Sequence, residues 1–281
     1  MTPPIVSNVA QIREQLDRER RQGRRIGVVP TMGALHAGHA SLMERARAEC
    51  DFVVVTIFVN PLQFGPSEDF QRYPRPIEND VAVCAQKGVD LIFAPKVEDM
   101  YSAPQMSFVV VERITEDLCG KFRPGHFRGV ATVVLKLFSI VEADFAYFGE
   151  KDYQQLAVIR RMVQDFNLRV TIVPVATFRE PDGLAMSSRN VYLKPDERAA
   201  APALYRALNL ARERIASGES SASAIKAAAI QALTAEPLIR MQYFEIVDPS
   251  ELQPVATISG SVRIAAAIFI GNTRLIDNVP A

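Results

Sequence analysis

The sequence predicts an α/β protein: a parallel-sheet domain of Rossmann-like type over residues 1–176, followed by a smaller α+β domain over 177–281. Three observations predict it. First, two strand-like runs, Arg25-Ile26-Gly27-Val28-Val29 and the β-branched Phe52–Val59, flank a Gly-bearing turn and a helical stretch, Ala40–Cys50. Strand, turn, helix, strand is a βαβ unit, whose strands lie parallel. Second, Asp144–Phe148 repeats the pattern, turning at Gly149 into a helix that runs to about Phe166. Third, composition becomes polar at Arg179-Glu180-Pro181-Asp182-Gly183, a hinge signal, and two helical patterns and two strand patterns follow it.

The remaining elements follow in order. Gln11–Gln22 reads as a charged helix stopped by Gly23. Its Arg18, Arg20 and Arg21, with Arg24 and Arg25 beyond, form a basic cluster that suits either a solvated helix end or a phosphate-docking surface. After Phe52–Val59, the loop Asn60-Pro61-Leu62-Gln63-Phe64-Gly65-Pro66 ends the strand, and Pro74 and Pro76 precede a helix near Ile77–Lys87. Val89–Phe93 and Ser107–Val111 read as strands, and Val130–Val141 as an apolar helix behind the basic loop Lys121–Gly129. Arg169–Val173, closed by Pro174, is the last strand of the first domain. In the second, Pro195–Ala216 and Ser223–Leu233 read as helices, and Gln242–Val247 and Val262–Ile270 as strands.

Composition narrows the function. Hydrophobic residues make up 48% and charged residues 23% of 281, enough for a sizeable core. Thirty-two basic and 32 acidic residues balance, which argues against a general nucleic-acid surface. Cys50, Cys84 and Cys119 lie far apart without metal-ligand spacing, as reduced thiols do. Residues 1–9 carry no secretion signal and no apolar run reaches the ~20 residues of a membrane helix. A cytoplasmic location is expected, with no membrane partner.

Chemistry concentrates where the predicted strands end. In parallel sheets ligands bind beyond the carboxyl ends of strands, at helix N-termini that favour anions. Gly33, His36, Gly38 and His39 fall at the first such junction. Gly38 lets a ligand approach the backbone, and His36 and His39, three apart, share a helix face. Two imidazoles aimed at one phosphate stabilise charge as a phosphoanhydride breaks. A tight turn with solvated imidazoles is the bland alternative. At the second junction Lys151 can reach phosphates, and Asp152 can accept from ribose hydroxyls or cap N–H groups. Gln155 lies one turn beyond Lys151. Met186-Ser187-Ser188-Arg189 sets hydroxyls beside a fixed cation, as a polyphosphate requires, or simply caps a helix. Gln63 can donate and accept at once, which suits a hydroxy acid.

The turn Pro30-Thr31-Met32-Gly33-x-Leu35-His36-x-Gly38-His39 is neither a Walker A loop nor G-x-G-x-x-G. It resembles the H-x-G-H signature of nucleotidyltransferases and, in its fuller form, the pantoate–β-alanine ligase family. Four further stretches match that family in order: Val59-Asn60-Pro61-x-Gln63-Phe64, Arg123-Pro124-x-His126-Phe127, Phe148-Gly149-Glu150-Lys151-Asp152-x-Gln154-Gln155 and Met186-Ser187-Ser188-Arg189. The closing Leu275-Ile276-Asp277-Asn278 also resembles the family terminus.

The resemblance implies ATP-dependent condensation of (R)-pantoate with β-alanine to pantothenate, AMP and pyrophosphate through a pantoyl adenylate. It implies an ATP site formed by Met32, Gly33, Ala34, Leu35, His36, Ala37, Gly38, His39, Gly149, Glu150, Lys151, Asp152, Phe178, Met186, Ser187, Ser188 and Arg189. Of these, His39, His36, Lys151 and Arg189 are the expected catalytic groups. Gln63 and Gln155 are expected to hold the pantoate and β-alanine substrates. Mg²⁺ accompanies ATP, with Asp80 a weak metal candidate because the family's acidic pair is Asn79-Asp80 here. At Phe178 the family more often carries a smaller or aliphatic side chain, a change that backbone contact with adenine survives. His126 is either substrate-facing or structural. The second domain is expected to act as a lid, and the molecule to be a homodimer through the first domain. A nucleotidyltransferase that leaves AMP or CMP on its product fits H-x-G-H and M-S-S-R as well, but paired Gln63 and Gln155 suit a small hydroxy acid better. A non-catalytic nucleotide- or RNA-binding module is disfavoured by the balanced charge.

Overall fold

The computed structural model describes residues 2–66, 68–101 and 105–281. In chain order the elements are β1 (Ile5–Val6), α1 (Val9–Arg21), β2 (Ile26–Thr31), α2 (Ala37–Glu49), β3 (Phe52–Ile57), α3 (Ile77–Gln86), β4 (Leu91–Phe93), α4 (Val97–Met100), α5 (Leu118–Phe122), α6 (His126–Val141), β5 (Phe145–Gly149), α7 (Tyr153–Asp165), β6 (Thr171–Val175), α8 (Pro195–Ala200), α9 (Ala203–Ala216), α10 (Ala222–Thr234), β7 (Ile239–Val247), β8 (Arg263–Ile270) and β9 (Thr273–Pro280). Short 3₁₀ turns occupy Pro61–Gln63, Glu150–Asp152 and Ser188–Tyr192.

The chain divides into two compact units. The first comprises Met1–Val111, Arg123–Glu150 and Val158–Ala176; the second comprises Glu112–Phe122, Lys151–Ala157 and Thr177–Ala281. Two segments that the sequence assigns to the first domain, one holding α5 and one opening α7, therefore pack with the second unit.

The first unit is built on a parallel sheet ordered β1-β4-β3-β2-β5-β6. Its central strands are near-continuous apolar runs, as strands covered on both faces must be. Val28 opposes Val54 and Val29 opposes Val55, all fully buried. Met43 and Ala46 of α2 pack with Val29, Val53 and Tyr147 on the sheet. α6 packs against α1 and β2. Chain order reverses at β2: β3 and β4 lie on one side of it, β5 and β6 on the other. A doubly wound sheet opens a binding crevice at such a switch point, beyond the carboxyl ends of the two strands. Both predicted junctions leave from there, one after β2 and one after β5.

Several elements depart from the sequence reading. Ser107–Val111 forms no strand; Val109 N–H donates to Thr132 Oγ1 at 3.0 Å, not to a neighbouring strand. The helix expected over 195–216 breaks at Ala201-Pro202 into α8 and α9, because Pro202 has no N–H to continue the ladder. β6 runs through Pro174 to Val175, which a sheet edge tolerates. Four of the five arginines of the basic cluster, Arg18, Arg20, Arg24 and Arg25, form ordinary surface pairs with Glu14, Asp17, Glu19 and Asp51, and Arg21 donates to the Asp17 carbonyl.

The second unit is an antiparallel sheet ordered β7-β8-β9, with α9 packed on β8 and β9 and α10 on β7. Leu204, Leu208, Ile225, Ile264, Ala266 and Ile268 form its core. The α/β first unit and the small antiparallel second sheet are the predicted fold class.

Candidate active site

The turn after β2 is set by two left-handed residues and one buried acid. Gly33 has φ +79° and Ala34 φ +51°. A Cβ on Gly33 would lie 2.9 Å from Asp80 Oδ2 and 3.1 Å from Ile57 Cγ2, so only glycine fits. Asp80, 1% exposed, accepts from Ala34 N–H at 3.0 Å and from Leu35 N–H at 2.7 Å. Burial raises its pKa against the pull of these two N–H groups. Both carboxylate oxygens thus hold the backbone of the turn. Asp80 is a clamp beneath the histidine loop. No group of three or more His, Cys, Asp or Glu suited to a metal occurs among the described residues.

His36 and His39 cap α2 reciprocally. His36 is the N-cap, and its Nδ1 accepts from Gly38 N–H at 3.1 Å. His39 Nδ1 accepts from His36 N–H at 3.3 Å. The ring centroids stand 4.0 Å apart. An Nδ1 that accepts carries no proton, so in each neutral ring the proton sits on Nε2. The capping role and a ligand role are therefore compatible. Nδ1 serves the helix, and Nε2–H is the donor at an end of the helix that already attracts anions.

Gln63 is fixed from three directions, all within the first unit. Its Oε1 accepts from Asn60 Nδ2 at 3.1 Å, its Nε2 donates to Met32 Sδ at 2.9 Å, and its carbonyl accepts from His126 Nδ1 at 2.8 Å. Asn60 is itself held by Tyr101 Oη at 2.7 Å and donates to Gly129 O at 3.1 Å. Arg123 donates to the Gln63 carbonyl and pairs with Glu68 at 2.6 Å. Burial, the largest influence, acts to raise the Glu68 carboxyl, but Arg123 together with the Gly65 N–H and His126 outweighs it and holds the pKa below its ordinary value. A carbonyl only accepts and a guanidinium only donates. His126 therefore carries its proton on Nδ1 and accepts from Arg123 Nη1 at Nε2, 3.0 Å away. That is a structural post for His126. Gly129 lets α6 meet this loop, since a Cβ there would lie 2.2 Å from Leu62 O.

After β5, Gly149 and Glu150 belong to the first unit and Lys151, Asp152 and Gln155 to the second. Gly149 faces open space where a Cβ would be. Lys151 Nζ stands 3.6 Å from Asp152 Oδ2. The adjacent glutamines differ sharply. Gln154 is buried and bonds Cys119 N, Ile114 O and Asp117 O, while Gln155 is half-buried.

In the second unit, Ser187 caps the turn Ser188–Tyr192 by accepting from Arg189 N–H at 3.3 Å. Met186 N–H returns to Phe178 O at 3.0 Å, and Phe178 is exposed. Arg198 ties the stretch down by pairing with Glu180 and Asp182, both at 2.6 Å.

Residues 4–280 match the family model described as pantoate–β-alanine ligase. This chain belongs to the pantoate–β-alanine ligase family. It is 54% identical over 275 residues to the pantothenate synthetase of Heliobacterium modesticaldum, covering 98% of each chain. The crystal structure of pantothenate synthetase from Thermus thermophilus superposes with a TM-score of 0.93 at 51% identity, covering 98% of each chain. The pantoate–β-alanine ligase of Francisella tularensis, complexed with β-γ ATP and β-alanine, matches with a TM-score of 0.81 at 35% identity over 99% of this chain and 97% of that one.

Tyr101 and the holding roles of Asn60, Arg123 and Asp80 escape the sequence reading of the site. Asn60 has one legible signal, the Asn-Pro turn start at its position. The others act across 41 to 60 residues of chain, where no spacing rule reaches.

Proposed function

We propose that this ligase joins pantoate to β-alanine through an acyl adenylate built on the histidine turn. The chain is an ATP-dependent ligase that forms pantothenate, and the reciprocal His36–His39 cap carries the residue-level reading. In the first step a pantoate carboxylate oxygen attacks the α-phosphorus of ATP and the bond to pyrophosphate breaks. An ionised carboxylate needs no base, so the barrier is the approach of an anion to a polyanion. Donors and cations at the phosphates lower it. His36 and His39 supply Nε2–H donors, and Lys151, Ser187, Ser188 and Arg189 supply the remaining donors and charge. His39 is the principal phosphate stabiliser, with His36 its partner. In the second step the β-alanine amine attacks the acyl carbon, loses a proton, and AMP leaves.

Gln63 suits pantoate. Asn60 donates to its oxygen and one amide N–H goes to Met32 Sδ, so the second N–H of Nε2 is the donor assigned to the ligand. Gln155 is the second pantoate contact. Met32 to His39 line the nucleotide, and Gly149, Glu150, Asp152, Phe178 and Met186 are assigned to its sugar, base and phosphates. Mg²⁺ enters with ATP as the counter-ion of its phosphates, the usual mode for this ion. The second unit acts as a lid that keeps water from the adenylate. The enzyme is cytoplasmic and homodimeric through the first unit, where Met106 and Val110 are exposed apolar residues. Light scattering is expected to give twice 31.1 kDa.

The deciding experiment mixes ATP, Mg²⁺ and pantoate with and without β-alanine and follows pyrophosphate and AMP separately. Pyrophosphate without the amine is expected to stop near enzyme stoichiometry, with sustained AMP release only when the amine is present. Release of AMP and pyrophosphate only together, never pyrophosphate first, would remove the adenylate.

A further inference from the structure

We propose that Asn278, braced by Asp277, is a positioning residue for Lys151. The proposal rests on the assignment of Lys151 to the phosphates made above. All of its parts lie in the second unit. Asp277 and Asn278 are adjacent on β9, yet both are buried, at 3% and 5% exposure. Successive strand residues face opposite ways, so a buried polar pair serves two different neighbours.

Asn278 serves Lys151. Its Nδ2 donates to the Lys151 carbonyl at 2.9 Å across 127 residues of chain. Its Oδ1 accepts from Arg263 Nη1 at 3.1 Å, and that guanidinium stacks 3.7 Å over the Tyr153 ring at the start of α7. With its oxygen held by Arg263, the amide of Asn278 presents its nitrogen to the Lys151 carbonyl. Asp277 serves the other cation-bearing stretch. It holds Arg179 bidentately at 2.6 and 2.9 Å, and its Oδ1 also accepts the Asn278 N–H at 2.8 Å. Arg179 donates to Gly183 O at 3.0 Å and stacks 3.8 Å over Tyr205, which fixes the turn leading to Ser187 and Arg189.

Lysine is a point charge on a flexible stem, so where its ammonium goes depends on where its backbone is pinned. Anchoring the carbonyl sets the origin of that stem. Misplacement of a charge by about 1 Å costs rate even when the charge is retained.

The test is a double-mutant cycle on Asn278→Ala and Lys151→Ala, reading pyrophosphate formation from ATP and pantoate in single turnover. Asn278→Ala is expected to lower kcat/KM for ATP about tenfold in the native background and less than about twofold in the Lys151→Ala background, since residues that act as a unit are not additive. The KM for pantoate is expected to stay unchanged. Asn278→Asp, which keeps the acceptor for Arg263 and the side-chain volume but loses the donor, gives the same pattern and serves if the alanine variant does not fold. Equal losses in both backgrounds, or no loss in the native one, would overturn the positioning role and leave the site assignment standing. A Lys151→Ala enzyme with native kinetics would overturn both.

Discussion

Replacing Asp80 by alanine tests whether the histidine turn is held from beneath. The carboxylate is 1% exposed and takes the N–H groups of Ala34 and Leu35 at 3.0 and 2.7 Å. Hydrogen bonds to a charged acceptor contribute about 1.5–3 kcal/mol each, and the two N–H groups lose their partner together. Against this, the variant no longer buries a carboxylate, whose raised pKa records that cost. A net local loss of about 2–3 kcal/mol remains, which is about 30- to 140-fold in the opening equilibrium at about 1.4 kcal/mol per decade. Hydrogen exchange of a peptide covering residues 31–40 reads this directly. That peptide is expected to exchange faster by this factor, while one covering α10 in the second unit is unchanged. Pyrophosphate formation is expected to fall with it, because the rings of His36 and His39 are aimed by the same turn. Unchanged exchange over 31–40 would refute the clamp, whatever happened to turnover.

Three further outcomes follow from the same geometry. His39→Ala is expected to lower kcat about 10²- to 10³-fold, as the loss of one phosphate donor does, while removing a cap bond of about 1 kcal/mol; far-ultraviolet circular dichroism stays native, and a change confined to the KM for ATP would make His39 a binding group only. Glu68→Gln isolates the Arg123 pair: a folded-state pKa below the ordinary 4.5 means that its stabilisation is complete above that value and fades as pH falls through the folded pKa. The stability difference between native and Glu68→Gln protein, about 1 kcal/mol at pH 7 in urea titrations, is therefore expected to close in that acid range; a difference independent of pH would deny the pair. Gly129→Ala drives a Cβ to 2.2 Å from Leu62 O, so the Gln63 loop has to shift; a stability loss of about 1–3 kcal/mol and a raised KM for pantoate are expected, and native values of both would show the contact to be soft.

The elements that sequence locates are those in which the local pattern and the tertiary pairing agree. The run Phe52–Val59 is apolar but for Thr56 because β3 is covered on both faces, and it forms β3 within two residues. β1 escapes because two residues carry no period; Ile5 and Val6 are strand only by pairing with Ile92 and Phe93. Ser107–Val111 shows the reverse. Val109 and Val111 are buried and Val110 is exposed, so the alternation is real, but among the described residues no strand pairs with this segment. β9 is hidden by Asp277 and Asn278, whose polarity reads as loop although both are buried and bonded.

The site divides along the same line. His36 and His39 are legible because helical spacing alone brings them together, and the structure adds what spacing cannot: each gives its Nδ1 to the helix end, which settles where its proton sits. The residues that aim the visible ones are not legible, because each acts from elsewhere in the chain. Asp80 reads as an acid suited to the start of a helix until its two oxygens are seen on the backbone of another turn. His126 reads as a candidate ligand until both of its nitrogens are found engaged, one on the Gln63 carbonyl and one on Arg123. Sequence thus exposes groups that touch a ligand through local spacing, whereas the groups that hold them are bound by distance in the chain. A variant of Asp80, Asn60 or Asn278 is therefore expected to change kinetics through a residue it is nowhere near in sequence, and the double-mutant cycle separates that indirect action from simple loss of fold.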